Sequence, residues 1–360
     1  MRRAAIVGTG GIASAHAEAL RAAGDRVELV AVVDVDAERA SAFAEEWGVP
    51  RVHPTSTALL DAEALDVVHV CTPPRHHVPL ALECLAADVH VLVEKPPAMS
   101  LSEIDVLIAA ERASAGRVAT VFQHRFGPAA VRLRRLVSEG AFGRSFVAKC
   151  DTLWYRGDAY FDVPWRGTWD SEGGGPTMGH GIHQFDLLLS VLGPWREIRA
   201  VAVRQARDVQ TEDVSMALVT FADGTVASVV NSLLSPRETS QLRFDFEHAT
   251  VEVEHLYGYT DAHWTVTPAP GHDDVVTRWR AEPSGIVSGH RWQLAAFLDA
   301  LDSGETPPVT LADTRQTTEF IAALYASAFT GTVVEAGQLG PDSPFYATME
   351  GIGAPWANAR

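Results

Sequence analysis

Three short stretches carry residues able to do chemistry. Residues 173–186 read GGGPTMGHGIHQFD, which puts His180 and His183 one helical turn apart and Asp186 one turn further on. Two imidazoles at that spacing can move a proton near neutral pH or supply two ligands to a metal ion. Lys95 stands in VLVEKPPAM, between an apolar run and two prolines whose stiff backbone can aim the ammonium at a developing negative charge. The third stretch, GTGGIA, follows an apolar run; Gly8, Gly10 and Ala13 satisfy G-x-G-x-x-A, with Gly11 and Ile12 inside the turn. A turn lacking Cβ atoms lets the backbone approach a pyrophosphate, which then faces the N–H groups of a helix start. Asp34 ends the next apolar run about 20 residues on, where a carboxylate can accept hydrogen bonds from ribose hydroxyls. An acid there repels a 2′-phosphate, so NAD is favoured over NADP, and Arg39 nearby keeps NADP open. Asp34 could also simply cap a turn. No Glu or Cys near His180 and His183 completes a zinc set, so no metal is expected.

The elements that must position these residues fall into two patterns. The runs AAIVG, VELVAVVD, VVHVCT, VHVLVE and VATVF lack polar alternation, the mark of strands buried on both faces. Helical patterns at 12–23, 37–47, 76–87 and 101–115 separate them, which predicts an α/β domain with a doubly wound parallel (Rossmann) sheet over residues 1–122. The segments CTPPRHH and EKPPA then lie at the carboxyl ends of strands, where such sheets take their ligands. From residue 123 onward the pattern changes. VSMALVTFADGTVASVVNSL carries a hairpin signal at Asp223-Gly224, and LRFDFEHATVEVEH sets Leu242, Phe244 and Phe246 on one face. This predicts an α+β second domain over 123–360 with a large open, mainly antiparallel sheet. Met178, Ile182, Phe185, Leu189 and Leu192 recur at helical spacing, so 176–192 reads as a helix stopped by Gly193-Pro194, with His180 and His183 off its apolar stripe. RWQLAAFLDAL and RQTTEFIAALYASAFTG read as amphipathic helices. Residues 349–360 offer little to pack, and a loosely ordered tail is expected from about 340.

Bulk properties bound the function. A chain of 360 residues with 47% hydrophobic composition can bury two cores. Its 29 Lys and Arg against 46 Asp and Glu give a formal charge of -17, which repels phosphate backbones and anionic membrane surfaces. Neither nucleic acid nor membrane is an expected partner, and no window approaches the ~20 apolar residues of a membrane span. The opening MRRAAIVGTGGIASAHA has an apolar run too short for an export signal, and Cys71, Cys84 and Cys150 are too scattered for a disulfide framework. A cytoplasmic protein with reduced thiols is expected.

With GTGGIA, CTPPRHH, EKPPA and GGGPTMGHGIHQFD together, the chain resembles the Gfo/Idh/MocA oxidoreductases, the glucose-fructose oxidoreductase and inositol dehydrogenase family. The resemblance implies hydride transfer between NAD(P) and a secondary alcohol or ketone of a sugar, sugar derivative or cyclitol. It places Lys95 at the substrate hydroxyl and nicotinamide, with Thr72, Pro73, His77 and Glu94 lining the cofactor cleft and Gln123 and Arg125 at the domain junction. His183 falls on the family's catalytic histidine and Asp186 on its final aspartate, but Gly179 replaces the first aspartate. His180 or Asp186 could take over the orienting role, and an exchange of roles between His180 and His183 stays open. Upstream, WYRGDAYFDVPWRGTWD mixes aromatics with arginines; both stacking on sugar rings and a subunit interface remain open. By resemblance Trp165 and Arg166 approach the nicotinamide, and Arg156 and Tyr160 contact substrate. A homodimer or homotetramer through the C-terminal sheet is also implied by resemblance. Two other readings exist among similar proteins: glycoside hydrolysis with a retained cofactor, and non-catalytic NAD(P) sensing. The intact Glu94-Lys95-Pro96 argues against sensing, which has no need of an aimed lysine.

Overall fold

The computed structural model describes residues 1–282 and 284–357. The chain forms two compact units. The first comprises Met1–Val121 together with His290–Arg315. Its strands β1 (Arg2–Val7), β2 (Val27–Val33), β3 (Arg51–His53), β4 (Val67–Val70), β5 (His90–Val93) and β6 (Val118–Thr120) pair in parallel in the order β3-β2-β1-β4-β5-β6. Helices α1 (Ala13–Ala22), α2 (Ala37–Trp47), α3 (Ser56–Ala62), α4 (His77–Ala86) and α5 (Leu101–Arg112) alternate with them. The strands expected from continuous apolar runs are all present, and β4 is buried along its whole length. The pattern missed β3 and α3. The first has only three residues, two of them polar, and the second is set by a cap, Thr55 Oγ1 accepting from the Ala58 N–H.

The second domain boundary needs correction. Residues 290–315 belong to the first unit rather than to the second. The helix His290–Ser303 is amphipathic as predicted, but its apolar side, Leu294, Phe297 and Leu298, packs into one core with Ala4, Ile6, Ala17 and Leu20. Gln293 donates to the Thr120 carbonyl at 2.6 Å, and Arg315 reaches Asp105 at 2.7 Å. Local periodicity shows that a helix has an apolar face, not which core receives it.

The second unit comprises Phe122–Gly289 and Gln316–Arg360. It holds β7 (Ser145–Tyr155), β8 (Trp195–Val203), β9 (Val214–Phe221), β10 (Val226–Ser232), β11 (Leu234–Phe246), β12 (Ala249–His255), β13 (Trp264–Pro268) and β14 (Val334–Glu335). These form one sheet ordered β13-β12-β11-β7-β10-β9-β8-β14, antiparallel except where β7 meets β10. The Asp223-Gly224 turn joins β9 to β10, and Leu242, Phe244 and Phe246 are buried on one face. On the other face Val201, Met216, Leu218 and Val226 are exposed.

One further expectation fails here and another is refined. Residues beyond 340 are anchored rather than loose: Phe345 and Met349 are buried, and Trp356 packs edge-on against Phe329 while its indole N–H donates to the Gln210 carbonyl at 2.8 Å. Isolated apolar residues lack periodicity, yet Phe345 and Trp356 both pack against Phe329. Residues 358–360 of the expected tail lie outside the described residues. The helix predicted at 176–192 opens with a wide π-turn, Thr177–Gly181, and continues as Ile182–Leu192. Every residue from 182 to 189 is buried, and so is His180, so both histidines are enclosed although they lie off the apolar stripe.

Candidate active site

The dinucleotide turn is built by sterics. Gly8 has φ +92°, and a Cβ there would stand 2.9 Å from the Cys71 carbonyl and the Thr72 nitrogen, so only glycine fits. A Cβ on Gly10 or Gly11 would meet nothing within 4 Å, which leaves open space in front of the turn. Exposed Ile12 precedes α1, and no side chain caps the amides of its first turn around Ala13. Uncapped N–H groups at the end of a glycine turn fit a pyrophosphate. Asp34, at the end of β2, accepts from the Thr9 N–H and hydroxyl at 2.8 Å and from the Asp36 N–H at 3.0 Å. Arg39 lies against it, Nη2 at 2.5 Å from Oδ1 and Nε at 3.1 Å from Oδ2. Burial pushes this carboxyl up, but the Arg39 fork and the amide donors outweigh burial and hold it well below the usual range. Asp34 therefore does cap its turn, and it does so as a carboxylate.

At the neighbouring strand ends, one ring joins two loops. His77 Nδ1 lies 2.7 Å from the Pro96 carbonyl and Nε2 2.7 Å from the Thr72 carbonyl, so the CTPP and EKPP segments are clamped together. Burial depresses the pKa of this imidazole. Pro73 is half-buried, and the Thr72 hydroxyl is buried with no hydrogen-bond partner among the described residues. Half-buried Lys95 follows Glu94, whose Oε2 accepts the Lys95 N–H at 3.1 Å. Glu94 Oε1 faces Nε2 of His16 at 3.0 Å and Nε2 of His290 at 2.9 Å. Burial alone would raise the Glu94 pKa; these two imidazoles hold it well below the ordinary carboxylate value. His16 in turn meets His69, Nδ1 to Nδ1, at 2.8 Å.

In the second unit, Glu212 fixes the glycine turn that precedes the histidines. Its carboxylate accepts from the Gly175 and Thr177 N–H groups, each at 3.1 Å, and from the Tyr325 hydroxyl at 2.8 Å. A Cβ on Gly175 would strike the Glu212 backbone, so the close approach requires glycine. His183 then packs edge-on against His124 and Tyr257, with ring centres 5.2 and 5.7 Å apart, while His124 stacks on Tyr259 at 4.6 Å. His180 packs edge-on against Trp154 at 5.0 Å and lies 3.5 Å from the Tyr160 hydroxyl through Nε2. Arg166 sits over the Tyr160 and Trp165 rings at 3.8 and 4.7 Å, and Arg156 over Trp154 and Tyr160 while pairing with Glu238 at 2.9 Å. The structure thus brings His180, Tyr160, Arg156, Trp165 and Arg166 into one cluster. Gln123 donates to the Tyr257 hydroxyl beside His183.

Two carboxylates bear on the aspartate position taken by Gly179. Asp186 forms a fork with Arg125 at 2.6 and 2.7 Å, an ion pair inside the second unit. The space beside Gly179 is bordered by a carboxylate the sequence did not single out: Glu172 Oε1 stands 3.5 Å from the position a Cβ on Gly179 would take. Glu172 is buried, and its Oε2 accepts the Gly167 N–H at 2.6 Å. Sequence reasoning also missed His16, His69 and His290 around Glu94, and His124 with Tyr257 and Tyr259 around His183. A histidine inside the apolar run VVHV and another in an Ala-rich helix were signals available to it.

A glycine turn open to a pyrophosphate, an ionised Asp34 at the next strand end and a lysine after Glu94 define an NAD-binding oxidoreductase. The family model for "Oxidoreductase family, NAD-binding Rossmann fold" matches residues 2–122, and that for the "GFO/IDH/MocA C-terminal domain" matches residues 130–252. The chain belongs to the Gfo/Idh/MocA oxidoreductase family. It is 30% identical to D-glucoside 3-dehydrogenase of Escherichia coli K12 over 92% of this chain and 97% of that one. D-apiose dehydrogenase of Paraburkholderia graminis is 27% identical, over 95% and 92% of the two chains. Among solved structures, the WlbA dehydrogenase of Bordetella pertussis in complex with NADH and UDP-GlcNAcA superposes with a TM-score of 0.82 at 25% identity, covering 95% of this chain and 98% of the other.

Proposed function

We propose that the protein oxidises a secondary hydroxyl of a sugar or glycoside with NAD as hydride acceptor, or runs the reverse reduction of the ketone. The observation that carries this reading is the buried His183 imidazole, held among His124 and Tyr257 rings at the foot of a clamped glycine turn, in a chain whose Rossmann unit carries Lys95 on a second clamped loop. Alcohol oxidation separates a hydride from a proton, and bound NAD supplies the hydride acceptor. His183 takes the hydroxyl proton in oxidation and returns it in reduction. The Lys95 ammonium stabilises the alkoxide that develops as the proton leaves. His180, with Tyr160, and Arg156 hold neighbouring sugar hydroxyls, and the Trp165–Arg166 pair covers the nicotinamide end. Glu172 carries the carboxylate otherwise lost at Gly179 and orients the histidine turn.

The similarity to a glucoside dehydrogenase and an apiose dehydrogenase supports a carbohydrate over a hydrophobic alcohol. Buried, unpaired thiols at Cys71, Cys84 and Cys150 support a reducing, cytoplasmic setting. Self-association uses the sheet face that exposes Val201, Met216, Leu218 and Val226, and light scattering in solution checks it. The main test follows formation of reduced nicotinamide by near-ultraviolet absorbance with NAD and NADP in turn, against glucosides, aldoses, inositols and 1,5-anhydrosugars. NAD-dependent turnover that is lost in Lys95→Ala supports the reading. Cofactor binding with no turnover on any substrate overturns it and directs attention to glycoside cleavage without net NADH.

A further inference from the structure

The group around Glu94 has a geometry that hydride transfer does not require. His16 comes from α1, Glu94 from the end of β5 and His290 from the first residue of the returning helix, all within the first unit. Both Nε2 atoms converge on one oxygen, Glu94 Oε1, at 3.0 and 2.9 Å, and the three ligand atoms all lie within 4.8 Å of one another. Two imidazole nitrogens and one carboxylate oxygen are the donor set of open zinc sites, whose remaining positions are taken by water or another small ligand. Nitrogen donors select zinc, cobalt or nickel over magnesium or calcium.

A second observation points the same way. A metal-bound imidazole normally directs its other ring nitrogen to a fixed partner, and the Nδ1 of His16 already meets Nδ1 of buried His69 at 2.8 Å. Glu94 keeps its other oxygen on the Lys95 N–H, so Oε1 is the one turned to the imidazoles.

We propose that His16 Nε2, Glu94 Oε1 and His290 Nε2 form a binding site for one divalent transition-metal ion of the zinc class. The ion replaces two hydrogen bonds to Oε1 with three ligand bonds and cross-links α1, the Lys95 loop and the returning helix. Its consequence is stabilisation of the fold, independent of any turnover.

The test uses the full chain stripped of metal and titrated with Co²⁺, whose visible absorption reports four-coordinate nitrogen and oxygen ligation. The expected result is one equivalent bound per chain, a raised melting temperature, and displacement of the Co²⁺ band by Zn²⁺. His290→Ala removes the band and the thermal shift while its metal-free circular dichroism matches wild type. His69→Phe keeps all three ligands and weakens binding by about 10–100-fold. Should His290→Ala fail to fold, Glu94→Gln, which keeps the side chain's shape and loses its charge, replaces it with the same expected loss. No band in the wild type, or an equal band in the ligand variant, overturns the site; neither outcome bears on hydride transfer.

Discussion

The two units place different neighbours around their histidines. Around Glu94 in the first unit, His16 and His290 face a carboxylate and His16 faces another imidazole, so each ring has a hydrogen bond that fixes its orientation. Around His183 in the second unit, aromatic rings crowd the imidazole: His124 and Tyr257 meet it edge-on, and His124 stacks on Tyr259 while its Nδ1 lies 3.5 Å from the Ser288 hydroxyl. A hydrogen-bonded imidazole is tied to one protonation pattern, because changing it breaks the bond. Ring packing constrains the plane of an imidazole and is far less sensitive to which nitrogen holds the proton. Burial lowers the pKa of His16 and, further, of His69, which favours the neutral form of these two rings. The first arrangement suits a scaffold, and the second surrounds the imidazole to which the proton transfer is assigned in our proposal.

The sharpest way to break this contrast is to remove His183. In the His183→Ala protein kcat should fall by about 10²–10⁴-fold, with NAD binding by fluorescence unchanged. Near-normal turnover would transfer the proton role to His180. Lys95→Ala should cost about 10²–10³-fold in kcat, the scale of one donor to a developing oxyanion. Next in size, Asp34→Ala should raise the KM for NAD by about 10–100-fold, from lost hydrogen bonds to a charged group, while NADP is used no worse than before. Glu172→Gln should lower kcat by about tenfold, an effect of roughly 1.4 kcal/mol, and Gly179→Asp in that background should restore part of it. An equally slow double variant would sever Glu172 from the histidine turn.

The smallest effect concerns stability against pH. The folded pKa of Asp34 lies below its unfolded value, so its bonds contribute stability that is fully present above about pH 4–5 and is lost as the pH falls through the folded value. Arg39→Ala should therefore show a shallower loss of stability in chemical denaturation between about pH 5 and pH 2. Identical slopes would mean that the amide donors alone hold the carboxylate.

How much of this was legible in the sequence follows the range of each signal. The dinucleotide turn and the strands around it could be read because glycine spacing and unbroken apolar runs are local. The GGG turn and both histidines were equally visible, but their burial was not. The helix that carries them is apolar on one stripe by pattern and enclosed on every side in fact, because β7, β11 and the segment 123–126 supply neighbours from far along the chain. Glu172 was passed over for the same reason. Its relation to Gly179 runs through a turn at Gly173–Gly175, and no periodicity spans such a turn. Glu212 lies still further away, and only the fold brings its carboxylate to the amides of Gly175 and Thr177.

The return of residues 290–315 to the first unit bears on how the protein is made. A ribosome releases the six strands of the parallel sheet early, yet the helix that covers Ala4, Ile6 and Leu20 with Phe297 and Leu298 emerges only after nearly all of the second unit has been synthesised. During that interval an apolar patch of the nascent first unit stays uncovered, a surface for chaperones to hold. Nor can the cofactor-binding half be cut free at its apparent end: a chain halted at Val121 would keep the glycine turn and Lys95 but lack His290 and the closing helix. The N-terminal half of this protein is thus finished from its C-terminal side.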